Sequence, residues 1–107
     1  MSPPDIDRTE SLRMLVQKDP GNALARYMLA NELLKLKRYQ EALGELEAYF
    51  GMADDEGAGY RMAATAHLGL GADEAAREAY RKGAEAARRH HHPSMAEEFE
   101  AAIADLS

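Results

Sequence analysis

Slid along itself by about 34 residues, the sequence meets its own pattern: Met28 falls on Met62, Ala30 on Ala64, Leu34 on Leu68, Leu36 on Leu70 and Ala42 on Ala76. Small residues fall on small residues, where packed backbones have to approach closely. Around these positions the apolar residues recur every three or four, which is the period of a helix and not of a strand. One pair of helices cannot bury its apolar stripe alone, so a repeat of this kind implies pairs stacked on their neighbours. The predicted fold class is therefore all-α, with antiparallel helix pairs and no sheet.

Breaks in the sequence place the helices. Proline occurs only at Pro3, Pro4, Pro20 and Pro93, and glycine gathers near residues 51–59 and 69–71. Alanine, leucine, glutamate and arginine dominate, which favours helix by intrinsic propensity. The first helix is expected over 6–18, with Leu12, Leu15 and Val16 on one face and Asp7 or Thr9 as its cap. Asp19-Pro20-Gly21-Asn22 ends it, and the Asn22 side chain can cap the next helix. That second helix spans 23 to about 36, with Leu29, Ala30, Leu33 and Leu36 together. A third runs from about 39 to 50 on Ala42, Leu43, Leu46 and Phe50. A fourth covers 60 to about 68, or starts a few residues earlier, and a fifth 73–89 on Ala76, Tyr80, Gly83 and Ala87. A last one follows Pro93, with Met95, Phe99, Ala102, Ile103 and Leu106 as its stripe. The expected core is Leu12, Leu29, Ala30, Leu33, Ala42, Leu46, Tyr60, Ala64, Ala76, Tyr80, Phe99 and Ile103.

The residues that carry the repeat resemble the tetratricopeptide (TPR) family. The first copy offers Arg26, Leu29-Ala30, Leu33, Ala42, Leu46 and Tyr49. The second offers Tyr60, Ala63-Ala64, His67, Gly71, Ala76, Tyr80 and Gly83. The runs 36–43 and 71–83 are similar to the family's second helix, and 19–22 to its inter-repeat stop. Arg26 stands where an aromatic is usual and Asp54 where a proline is usual, and the His90–Pro93 joint slips the last helix by one residue. The resemblance implies a short right-handed TPR solenoid in a single domain, 1–107. It would have an N-terminal half-repeat helix over 6–18, repeat one over 23–56, repeat two over 57–90 and a capping helix over 94–106. The outer faces of the two end helices carry Asp7, Arg13 and Gln17, and Glu97, Glu100 and Asp105.

Composition narrows the chemistry. The net charge of −6 repels a phosphate backbone, so nucleic acid is not an expected partner. With no cysteine there is no disulfide, thiolate catalysis or cysteine-ligated zinc. The N-terminus lacks a charged start followed by an apolar run, and apolar stretches fall far short of the ~18 residues of a membrane span. A cytoplasmic protein with no membrane partner is the expectation. His90-His91-His92 tempts as a metal site, but adjacent residues on a helix do not face one another. The tract is expected to close a helix, where Arg88, Arg89 and His90 suit the negative end of the dipole, and His67 is expected to be at least partly buried. Asp54-Asp55-Glu56 and Glu97-Glu98 read as loop and helix-start acids. No metal, cofactor or catalytic residue is expected. Metal handling through the histidine tract is the remote alternative.

Function then follows from the resemblance. In TPR proteins the inner face of the first helices lines a concave groove. By helical phase this gives Leu24, Tyr27, Asn31 and Leu34 in the first copy, and Arg61, Thr65 and Leu68 in the second. The expected role is a protein-binding adaptor or scaffold that takes a peptide or protein segment. Arg61 would fork onto a partner carboxylate, and Asn31 would meet its backbone. The TPR subclass that clamps a C-terminal carboxylate does not fit, because Tyr27 stands where a lysine is needed and Met62 where an asparagine is. Self-association through the solenoid ends into a weak homo-oligomer is the alternative.

Overall fold

The structure, a computed structural model, describes residues 8–107. Among them are six helices and no strand: α1 (Arg8–Lys18), α2 (Ala23–Lys35), α3 (Tyr39–Phe50), α4 (Ala58–Gly69), α5 (Asp73–Arg89) and α6 (Pro93–Asp105). Ile6 and Asp7, expected to open α1, lie outside the described residues. Each helix runs back along the one before it. The start of α2 meets the end of α3, with the Tyr27 and Tyr49 rings 5.3 Å apart, and the end of α3 meets the start of α4, with Phe50 stacked on Tyr60 at 4.3 Å. On the far side Tyr80 of α5 meets Phe99 of α6 at 5.7 Å. Successive pairing makes an elongated body of 49 × 27 × 22 Å.

Its core is strung along the chain. One cluster joins Leu12 and Val16 of α1 to Leu29 and Leu33 of α2 and Ala42 of α3. The next joins Ala30 to Leu46, Met62, Ala64 and Ala79. Phe99, Leu29, Leu33 and Leu46 are the largest fully buried side chains, each contributing about 1.5–3 kcal/mol on burial. Alanines take the crossings, with Ala30, Ala42, Ala64, Ala76, Ala86 and Ala87 completely buried. At Gly83 even a methyl group fails to fit: a Cβ there would lie 2.7 Å from the Phe99 ring and 3.0 Å from Tyr60. Nine of the twelve expected core residues are buried, while Tyr60, Tyr80 and Ile103 are only half-buried. Two face assignments are corrected. Leu15 is exposed, because α1 meets α2 along Thr9, Leu12 and Val16, and Leu36 is exposed because the helix closes at it. Thr9 is accordingly a buried residue inside α1 and not its cap.

The turns share one device. After α2, α4 and α5 the chain takes a left-handed residue: Lys37 (φ 59°), Gly71 (φ 73°) and His91 (φ 62°). In each case the amide two residues past the cap reaches back to close the last turn: Arg38 to the Leu33 carbonyl at 2.9 Å, Ala72 to His67 at 2.8 Å and His92 to Ala87 at 2.7 Å. This is the Schellman closure, which satisfies helix carbonyls that would otherwise lack donors. Asn22 caps α2 as expected, its side-chain oxygen accepting from the Ala25 amide at 3.0 Å. Arg26, the residue at an expected aromatic position, instead donates to the Pro20 carbonyl and to Glu45, pinning the 19–22 turn to α3.

Candidate functional site

Consider first the link between α3 and α4, residues 51–57, with its three consecutive acids. They have three different fates. Asp55 is buried. Its carboxylate accepts from the Tyr49 hydroxyl at 2.7 Å and from the Gly57 and Gly59 amides at 2.9 and 2.8 Å. It therefore supplies the acceptor that the first amides of α4 lack within the helix. All three donors are neutral. Burial, helped by the carboxylate, pushes the Tyr49 phenol well above its usual 10.0, so it stays a donor. Asp54 and Glu56 point outward. Asp54 meets Arg89 at 3.0 Å and His90 at 2.8 Å, and Glu56 meets His92 at 2.6 Å. These partners hold both carboxyls below their ordinary range, the hydrogen bond to Arg89 acting most on Asp54 and that to His92 on Glu56.

The histidine tract therefore does more than end a helix. His90 closes α5, as the sequence implied, but the left-handed His91 splits the tract, and His90 and His92 each meet an acid of the 51–57 link. Among the described residues, no group of three or more histidine and acidic side chains is placed to hold a metal ion.

These residues rim an open cavity of about 490 Å³ at the N-terminal ends of α2, α4 and α6. Leu24, Tyr27, Tyr49 and Met95 give it an apolar floor, and Asp54, Glu56 and His92 stand at its edge. Leu24 is two-thirds exposed. A second cavity of about 400 Å³ lies over α4 between α3 and α5, lined by Leu43, Phe50, Tyr60, His67, Glu78 and Lys82 among others. His67 is half-buried there, as expected, and burial lowers its pKa.

Of the seven residues expected to line a groove, the structure brings Leu24 and Tyr27 together at the first cavity. Leu34 is half-buried and packs against both core clusters. Asn31 is half-buried on α2, and Thr65 and Leu68 are exposed on α4, the Thr65 hydroxyl donating to the Arg61 carbonyl at 3.0 Å. Arg61 has a partner within the chain. Its guanidinium already forks onto Glu98 of α6, at 2.7 and 2.8 Å, and lies 5.3 Å from the centre of the Phe99 ring. The fork ties α4 to α6. Missed from the sequence were Tyr49, Asp55, Met95 and His92. The signal for Asp55 was its place two and four residues before the amides of Gly57 and Gly59, where a short acid caps a helix.

No family model matches the chain, and no curated protein does. Among solved structures it is similar to the solution structure of protein BPP2914 from Bordetella parapertussis, with a TM-score of 0.81 at 20% identity, covering 95% of this chain and 89% of that one. A likeness at that identity speaks for the fold alone. None of the described helices is long and apolar enough to cross a membrane.

Proposed function

We propose that the chain is a small TPR-type stack that binds a segment of another protein, and that it does so without catalysis. The observation that carries this reading is the apolar floor of Leu24, Tyr27, Tyr49 and Met95, open to solvent at the helix starts. Leu24 stands two-thirds exposed beside half-buried Tyr27, Tyr49 and Met95, and an open apolar cavity of this kind suits a surface that a partner covers. The volume suits one or two side chains of an extended segment and not an enclosed substrate. The 34-residue offset and the paired helices support the TPR reading, and the cavity lies on the first-helix side where that reading puts a groove. With so short a surface the affinity is of micromolar order, about −8 kcal/mol.

The test is a titration of a bound peptide, selected on the folded chain from a display library of random short peptides, against surface variants. Leu24→Ser removes an exposed side chain, so it should weaken binding about tenfold and leave the melting temperature unchanged. Glu47→Ala, at the cavity between α3 and α5, should leave binding as it was. If no peptide is selected, or if Glu47→Ala matters and Leu24→Ser does not, the assignment is wrong.

A further inference from the structure

The cavity at the helix starts carries a charge pattern beyond what peptide binding alone requires. Three carboxylates, Asp54, Asp55 and Glu56, line it; among the described residues Asp54 is met by the Arg89 guanidinium and the His90 ring. Asp55 lies nearest the floor, held by Tyr49 and two amides, all neutral. Glu56 is met by the His92 ring. The helix starts oppose this pattern with their positive dipole ends. Two of those ends are already served, Asn22 capping α2 and Asp55 accepting from the first amides of α4, while α6 has no side-chain cap and opens on Pro93, which has no amide hydrogen to offer. Dipole effects also fade within the first turn. Beneath the acids lie two tyrosine rings and the aliphatic Leu24 and Met95.

An apolar floor with an acidic rim fits a side chain that is aliphatic along its stem and cationic at its tip. Resting on the peptide-binding reading above, we infer that the occupant of this cavity is a basic side chain, arginine ahead of lysine, in an extended segment of a partner protein. The stem lies along Leu24 and Met95. The head meets the rings of Tyr27 and Tyr49 and donates to Glu56, which can accept more than one donor. Arginine leads because its planar head both stacks on a ring and forks onto a carboxylate. The chain's net charge of −6 steers such a segment in and turns acidic or phosphorylated ones away.

The experiment uses peptides selected on the whole folded chain from a display library of random short peptides, then remade synthetically with arginine or with its uncharged isostere citrulline. Selected peptides should carry arginine or lysine. Citrulline should weaken binding about tenfold, the size of a partly desolvated cation–aromatic and carboxylate contact. On Glu56→Gln, a change at an exposed side chain, the difference between the two peptides should shrink severalfold. Peptides that lose affinity on Leu24→Ser yet lack a basic residue, or ignore citrulline, overturn the basic anchor and leave peptide binding standing. The same holds if Glu56→Gln leaves the difference intact. Peptides indifferent to Leu24→Ser, or no selected peptide at all, overturn both.

Discussion

At the scale of single residues, Asp54, Asp55 and Glu56 show how position decides what a carboxylate does. Only Asp55 is buried, and it serves three donors that would be stranded without it. Asp55→Ala should therefore cost about 3 kcal/mol, the price of leaving buried donors unpaired. Urea unfolding measures it. Asp54→Ala, at an exposed ion pair, should barely move the midpoint. Equal effects at both positions would show that the buried carboxylate contributes no more than a surface one. Arg61 makes a related point. Its helical phase was readable from the sequence, but its partner Glu98 stands 37 residues away, and no periodicity reveals such a pairing.

At the scale of elements, the three equivalent turns separate backbone strain from packing. Gly71 takes its left-handed conformation with open space around it, since no heavy atom lies within 4 Å of a Cβ placed there. Gly71→Ala should destabilise by about 1 kcal/mol through conformation alone. His91 holds the same conformation with a side chain, so His91→Gly should stabilise by about 0.5–1 kcal/mol. Opposite shifts in urea midpoint are expected, and shifts of the same sign would refute the shared-turn account. These turns also show what the sequence made legible. Leu29, Leu33, Ala42 and Leu46 repeat at helical spacing and were found in the core, and the bounds of α3 and α5 agree with the breaks around them. Asn22 announced its helix because a capping side chain acts on its own neighbours. Leu15 was misplaced because two adjacent apolar residues, Leu15 and Val16, leave a helix free to roll, and only the contact with α2 chooses between them. The split of the histidine tract was unreadable for a similar reason: His91 turns left-handed where α5 closes, and the acids that meet His90 and His92 on either side of it lie 36 residues away.

At the scale of the whole molecule, an elongated stack need not open as one body. Each helix is held mainly by its neighbours, and α1 sits at one end with α2 as its chief support. Its described part has 11 residues, a length at which a helix is marginal on its own. It buries Thr9, Leu12 and Val16, whereas α5 buries six residues between α4 and α6. Two ion pairs that reach from α1 to the rest, Arg8–Glu32 and Arg13–Glu41, are exposed on at least one side and add little. At the other end α6 is better tied, through fully buried Phe99 and the fork of Arg61 on Glu98. Opening should therefore begin at α1. In native-state hydrogen exchange the amides of α1 should exchange at least about tenfold faster than those of α4 and α5, a difference of about 1.4 kcal/mol in opening free energy. Leu12→Ala removes one of the few side chains that seat α1. It should speed exchange in α1 strongly while leaving α5 nearly unchanged, since no α5 residue belongs to that cluster. Uniform protection from α1 to α6, or a Leu12→Ala effect that spreads equally to α5, would mean that the stack unfolds as a single cooperative unit and that its ends are no weaker than its middle.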